Sequence, residues 1–347
     1  MIIMKNVHSH RKDEHVSLAE KFFSPTSKSG FDDVRLVPNQ LPELNQNEIN
    51  LATKIAGINL EFPFFIQAMT GGSIQTGKIN QQLAEVAHQT HIAMAVGSQS
   101  VALKFSELVD TFKVVRKVNP NGILLANVGA HTPYQAAQEA INMIDANILQ
   151  VHVNVAQEVV MPEGDQDFHW LNNIKQIIQN VTVPVIIKSV GTGFSKQDFL
   201  ALQSIGATNF DVGGLGGTNF IQIENARRSN KELEFLQSFG FSTVESLLES
   251  RTTNSSSSIT ATGGIRNSAD IIKSFALGAD NVGIAGLFLH ILIKEGPENL
   301  IEFIEQLKEQ LIKILLMTGK KEITQLNQND IILSNDLFNF MSQRNIK

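Results

Sequence analysis

In the stretch Gln150-Val151-His152-Val153-Asn154-Val155-Ala156-Gln157-Glu158, valines alternate with side chains able to bind a ligand. A period of two puts Val151, Val153 and Val155 on one face and His152 and Asn154 on the other. Gln150 continues the polar row, and Gln157 and Glu158 fall just past the strand. In a two-sided sheet such a strand faces solvent. In a parallel α/β barrel the valines face the surrounding helices, and polar groups lining the interior near a strand's C-terminal end serve a ligand. Lys188 closes the apolar run Val183–Val190. Within such a strand an ammonium needs a counter-charge or water, and an anion at a barrel mouth is preferred over a lysine snorkelling to solvent. Asn127 is a similar polar end to the run that starts at Gly122.

Five proposed strands end in glycine-rich or small polar turns: Met69-Thr70-Gly71-Gly72-Ser73, Gly97-Ser98-Gln99, Gly213-Gly214-Leu215-Gly216-Gly217-Thr218, Thr262-Gly263-Gly264-Ile265-Arg266 and Gly283-Ile284-Ala285-Gly286. Glycine lets backbone amides approach an anion, and a following helix N-terminus adds a favourable dipole. The last two turns follow the seventh and eighth strands, where barrels frequently bind phosphate, and Arg266 could add a charge-assisted bond. Gly213-Gly214-Leu215-Gly216-Gly217 lacks the Gly-x-Gly-x-x-Gly spacing and the acidic residue of a dinucleotide fingerprint.

Those turns need a scaffold. Candidate strands are Phe62–Ala68, Ala93–Val96, Gly122–Asn127, Ile148–Val155, Val185–Val190, Asn209–Val212, Ser258–Thr262 and Asn281–Ile284. Helical spacing marks Gln75–Thr90, Ser106–Val118, Pro133–Ile144, His169–Gln179, Ser195–Ile205 and Ser268–Leu277. Thr132-Pro133 fits an N-cap with Pro at the first helical position, and Gly206 and Gly278 fit helix stops. The alternation predicts an α/β fold, a TIM (β/α)8 barrel in one domain spanning 1–347. Residues 1–60 form an N-terminal extension, with a helix over Arg11–Phe23 and a short strand over Thr53–Asn59. A long insertion, about residues 218–257, separates strands six and seven and ends in the polar surface tract Thr252–Ser257. The tail after Gly286 reads as the last helix or helices, with Leu300–Met317 strongly periodic.

Composition narrows the chemistry. With 347 residues, 42% of them hydrophobic, the chain has an ordinary core, and its net charge of -6 argues against a polyanion-binding surface and so against nucleic acid. It has no cysteine, which excludes disulfides, thiolate zinc sites, iron–sulfur clusters and cysteine nucleophiles. No 18-residue apolar run predicts a membrane span, and the start lacks a secretory signal. The expectation is a cytoplasmic enzyme.

Together the motifs resemble type 2 isopentenyl diphosphate isomerase. The matching set runs Arg11-Lys12-Asp13-Glu14-His15, Ala68-Met69-Thr70-Gly71-Gly72, Gly97-Ser98-Gln99, Asn127-Val128-Gly129, His152-x-Asn154-x-x-Gln157-Glu158, Lys188, Asp211 through Thr218, Gly263-Gly264-Ile265-Arg266 and Ala285-Gly286. Many FMN-binding barrels share the glycine turns. The His-x-Asn-x-x-Gln-Glu stretch with the Arg-Lys-x-x-His start is more specific. The resemblance implies an FMN-binding barrel that interconverts isopentenyl diphosphate and dimethylallyl diphosphate by a 1,3-allylic proton shift. FMN is held reduced by NADPH or another reductant and serves as the acid–base group, Mg²⁺ is required, and the assembly is a homotetramer or homo-octamer. By the same resemblance Ala68, Met69, Thr70, Ser98, Asn127, Lys188, Thr218, Gly264, Arg266, Ala285 and Gly286 contact FMN. Arg11, Lys12, His15, His152, Asn154 and Gln157 contact substrate, Gln157 in a catalytic role, and Glu158 ligates Mg²⁺. Arg11 and His15, four apart, share a helical face, and a hard Mg²⁺ often takes one or two carboxylates plus substrate phosphates. His8, His10 and His15 as a metal cluster give way to ordinary surface histidines. Ser189 departs from the family, which often carries an acidic residue after the flavin-side lysine.

Two rivals have different signatures. A 2-hydroxy-acid oxidase needs a histidine late in the barrel, and Ala207–Gly286 contains none. A non-catalytic flavin-binding barrel predicts loss of polar positions, and every one named above is filled.

Overall fold

In the computed structural model, which describes residues 2–26, 28–253 and 256–346 and side chains from residue 10 onward, eight parallel strands close into a barrel. They are β1 Phe64–Ile66, β2 Met94–Ala95, β3 Leu124–Gly129, β4 Ile148–Val153, β5 Val185–Ser189, β6 Asn209–Asp211, β7 Ser258–Thr262 and β8 Asn281–Ile284. Each pairs with its sequence neighbour, and β8 returns to β1. The TIM barrel expected from the alternation is thus present, and all eight proposed strands belong to it.

The strands read as near-continuous apolar runs because both faces are covered. Outward residues such as Phe64, Ile66, Leu149, Val151 and Ile187 pack into one continuous core with the helices. The inward row changes character along each strand. At the N-terminal end Phe65, Ala95, Leu125, Ile148 and Ile186 form a separate apolar cluster. Two residues further on, the inward positions are Gln67, Asn127, Gln150 and Lys188.

A hairpin closes the apolar end. Its strands Thr53–Ile55 and Ile58–Leu60 replace the single strand expected over Thr53–Asn59, because Ala56 and Gly57 adopt left-handed conformations (φ 47° and 85°) and turn the chain back. Ile55, Ala56 and Leu60 join the interior cluster.

Helices fill the outer ring. Ile74–Thr90 starts at Ser73, whose hydroxyl accepts from the Thr76 amide while the Thr76 hydroxyl accepts from the Ser73 amide. Lys196–Ser204 has the same box from Ser195 and Asp198, and Gly206 (φ 96°) stops it. Pro133 is the N-cap of Tyr134–Ile144, one position earlier than its expected place inside the helix. Val155 is a larger departure: the strand ends at Val153, and Val155 is 47% exposed at the start of a short helix, Val155–Val160. That helix carries Gln157 and Glu158. The N-terminal helix covers Ile2–Lys21, longer than expected, and the long insertion contains helices Phe220–Arg227 and Thr243–Ser250. Of the tract after it, residues 254 and 255 lie outside the described residues. Among described residues no helix is long and apolar enough to cross a membrane.

Ile55 fills the barrel floor with no exposure. Ile55→Ala should lower the unfolding free energy by about 2–5 kcal/mol, read by guanidinium denaturation, while flavin affinity stays unchanged because the floor lies below the polar layer.

Candidate active site

Asp211, the last residue of β6, is fully buried. Its carboxylate accepts from Lys188 Nζ at 3.0 Å, Gln67 Nε2 at 2.7 Å and the Gly213 amide at 3.1 Å, and pairs with the Thr262 hydroxyl. Register places Lys188 of β5 level with His152 of β4 on one side and Asp211 on the other. Lys188 is 8% exposed, which its ion pair with Asp211 permits. The lysine therefore does not snorkel.

From Asp211 a line of amides crosses the barrel. Gln67 Oε1 accepts from the Ala68 amide at 2.7 Å and from Gln150 Nε2 at 2.8 Å. Gln150 Oε1 accepts from Asn127 Nδ2 at 3.1 Å, and Asn127 Oδ1 lies 2.9 Å from His152 Nδ1. Gln99 Oε1 in turn accepts from the Asn127 amide at 3.0 Å. Burial, then His131, Lys12 and Lys188, push the His152 imidazole down to about 3.

The glycine turns come together at the same mouth. A Cβ on Gly217 would stand 3.0 Å from the Gly264 nitrogen, one on Gly286 3.3 Å from Thr218 Oγ1, and one on Gly97 2.7 Å from the Thr70 nitrogen. Bare backbone from several strand ends thus lines one wall, as a phosphate and a flat ring system require. Thr70 Oγ1 is buried there with no hydrogen-bond partner. These features and the buried Lys188 fit FMN. The Arg266 guanidinium donates through Nε to the Pro25 carbonyl at 3.3 Å and through Nη2 to the Gly216 and Ser24 carbonyls at 3.0 and 3.2 Å, which leaves the two Nη1 donors for a phosphate.

The N-terminal helix spans the mouth. Asp13 accepts from the Ser73 hydroxyl, and Glu14 pairs with Arg227 at 3.1 Å. Arg11 pairs with Glu163 at 3.4 Å, and Glu20 with His290 at 2.8 Å. Beneath it lies a second buried carboxylate, Glu224, which contacts His15 Nε2 at 3.0 Å and accepts from Gln157 Nε2 at 2.9 Å and Arg227 Nη1 at 2.5 Å. Burial pushes Glu224 up, but His15, Arg227 and Gln157 outweigh it and hold the carboxyl at about 2. Burial and the neighbouring Arg11 push Lys12 down to about 8, against an upward pull from Glu224. Glu158 Oε1 accepts from Asn154 Nδ2 at 3.0 Å and Oε2 from the Asp165 amide at 2.9 Å.

Roof, walls and polar layer enclose a cavity of about 970 Å³. Every residue singled out above as a contact lines it: the Arg11, Lys12 and His15 group, the His152 to Glu158 group, and the flavin positions from Ala68 to Gly286. Of the N-terminal histidines, His15 faces Glu224 and His10 is exposed, while the His8 side chain lies outside the described residues. Among described residues no three His, Cys, Asp or Glu form a metal cluster. Sequence reasoning missed Gln67, Gln150 as an anchor, Asp211 as the partner of Lys188, and Glu224 with Arg227. Gln67 and Gln150 were visible as single polar interruptions of apolar strands. Glu224 left no signal, since its helix lies in an insertion without strand register.

An eight-stranded barrel with this mouth defines the class of FMN-binding α/β barrels. A family model described as FMN-dependent dehydrogenase matches residues 126–333. The fold resembles flavocytochrome b2 with sulfite bound (TM-score 0.69, 15% identity, 92% of this chain and 83% of that one) and a soluble mutant of the membrane-associated (S)-mandelate dehydrogenase from Pseudomonas putida (TM-score 0.63, 16% identity, 93% and 99%). The chain belongs to the isopentenyl-diphosphate delta-isomerase family. It is 48% identical over 342 residues to the enzyme of that name from Latilactobacillus sakei subsp. sakei (strain 23K), covering 99% of this chain and 98% of that protein. The one from Lactococcus lactis subsp. lactis (strain IL1403) is 47% identical over 344 residues, covering 98% and 99%.

Asp211→Asn leaves the Lys188 ammonium buried without its counter-charge. The variant should lose about 3–5 kcal/mol of stability in denaturant titrations, and adding Lys188→Met should recover most of that loss.

Proposed function

We propose that this chain interconverts isopentenyl diphosphate and dimethylallyl diphosphate, adding a proton at the terminal alkene carbon and removing one from C2. The observation that carries the reading is one cavity with a cationic, hydrogen-bonding end (Arg11, Lys12, His15, His152, Asn154) facing a glycine-walled flavin site around Lys188. Nearly full-length relatives of that name support it.

Each role follows from local chemistry. The diphosphate takes the cationic end, where Lys12, with a pKa of about 8, is mostly charged at neutral pH. Glu158 is held by Asn154 and the Asp165 amide and keeps lone pairs for Mg²⁺, a hard ion suited to one carboxylate, phosphate oxygens and water. Ala68, Met69, Thr70, Ser98, Asn127, Thr218, Gly264, Arg266, Ala285 and Gly286 hold FMN, with Lys188 beside its ring. Reduced FMN, when bound, supplies the acid–base group for a shift with no net redox change. Gln157 is tied to Glu224 on one side and lies 3.3 Å from Asn154 Nδ2 on the other, so its carboxamide is held in one orientation. Carboxamides are poor bases, so Gln157 is not the sole base: it orients the alkene or assists its deprotonation. NADPH as reductant, a homotetrameric or homo-octameric state and a cytoplasmic location belong to the same proposal.

An anaerobic proton-NMR assay with FMN, NADPH and Mg²⁺ should show loss of isopentenyl diphosphate, and no conversion with flavin bound and reduced refutes the activity. On fully reduced enzyme, Gln157→Ala should cut turnover by roughly 10²-fold or more, and near-normal turnover would remove Gln157 from the mechanism. Lys12 is charged below its folded pKa and loses its proton as pH rises through about 8. Above that pH kcat/KM should fall, by up to about tenfold per unit, whereas Lys12→Arg, charged throughout, should keep it level.

A further inference from the structure

The amide line through the barrel has a direction. At each junction one partner can act only one way. Gln67 must turn its oxygen to the Ala68 N–H and its nitrogen to the Asp211 carboxylate. That oxygen can only accept, so Gln150 presents Nε2 to it and Oε1 to Asn127. Asn127 then donates through Nδ2 and has only Oδ1 left for His152, 2.9 Å away. His152 Nδ1 must therefore carry the hydrogen. Gln67, Gln150 and Asn127 are each at most 3% exposed, so water does not compete for their orientation.

We propose that Asp211, Gln67 and Gln150 are positioning residues that fix His152 as its Nδ1–H tautomer, so that diphosphate binding brings a proton to His152 Nε2. With Nδ1 committed to Asn127, a neutral His152 offers a lone pair at Nε2, which repels phosphate oxygens. The charged and titratable groups facing the ring are Lys12 from the N-terminal helix, Lys188 from β5 and His131 after β3. Without an anion these, with burial, keep the ring neutral. A diphosphate brings several negative charges to the same place, reverses the local field, and makes the imidazolium, with Nε2–H donating, the favoured form. The uptake half of the inference rests on the proposed role of His152 as a diphosphate contact. The tautomer half does not.

Two measurements separate the halves. In FMN-loaded protein with ¹⁵N-labelled histidine and no diphosphate, the signals that vanish in His152→Gln should show a protonated Nδ1 and a bare Nε2. Gln150→Met frees Asn127 to rotate and should lose that preference, which a purely structural role for Gln150 does not require. A protonated Nε2 in the wild-type protein, or an unchanged tautomer in Gln150→Met, overturns the directed line. Calorimetry with isopentenyl diphosphate and Mg²⁺ at pH 7, in buffers of differing ionisation enthalpy, should give net proton uptake, cut in His152→Gln to the small share that Lys12 takes up. Binding without uptake, or uptake undiminished in His152→Gln, overturns the second half. Failure of the diphosphate to bind at all counts against the proposed function and leaves the tautomer result standing.

Discussion

The barrel interior is organised around one buried negative charge. Asp211 has no exposed surface and four donors. Ionised carboxylates are tolerated at such depth only when fully hydrogen-bonded and paired, so the donors and the charge require each other. Lys188 gains a reason to point inward, Gln67 is held in one orientation, and the Gly213 amide starts the glycine-rich turn after β6 from a fixed point. The two ends of the cavity, the glycine-rich wall and the cationic end, thus share a single anchor.

The scaffold was largely legible in the sequence and the anchor was not. Alternation in Ile148–Val153 distinguished outward valines from inward Gln150 and His152, and the structure has Val151 in the helix-facing core. The same rule failed at Val155, because periodicity cannot see where a backbone leaves the strand: Asn154 has φ −143° and ψ 45°, and the helix begins there. Asp211 was visible only as one letter of a glycine-rich motif. Its importance depends on Lys188 in the next strand, and pairing across strands has no trace in a local window. Ser189 illustrates the converse. Its position lacks the acid that the resemblance led one to expect, yet Lys188 has its counter-charge from a neighbouring strand.

The N-terminal helix was anticipated over Arg11–Phe23, but not the contacts that hold it. Its sequence lacks a continuous apolar stripe, and it is held by polar contacts such as Asp13 with Ser73, Glu14 with Arg227 and Glu20 with His290. A charge run such as Arg11-Lys12-Asp13-Glu14 reads in isolation as a solvated face. It becomes a roof only because Glu163 after β4, Arg227 after β6 and the Ser73 hydroxyl after β1 meet Arg11, Glu14 and Asp13.

That roof makes binding at the cationic end an exchange of partners. Arg11 is engaged by Glu163 and His15 by Glu224, so an incoming anion competes with carboxylates already in place. Net affinity is then a difference between two sets of ion pairs, smaller than the full attraction of the cations. A ligand with one phosphate has fewer oxygens with which to replace those carboxylates than a diphosphate has. On the proposed reading, the contacts that Arg11 and His15 already make in the free protein therefore weigh against the shorter anion.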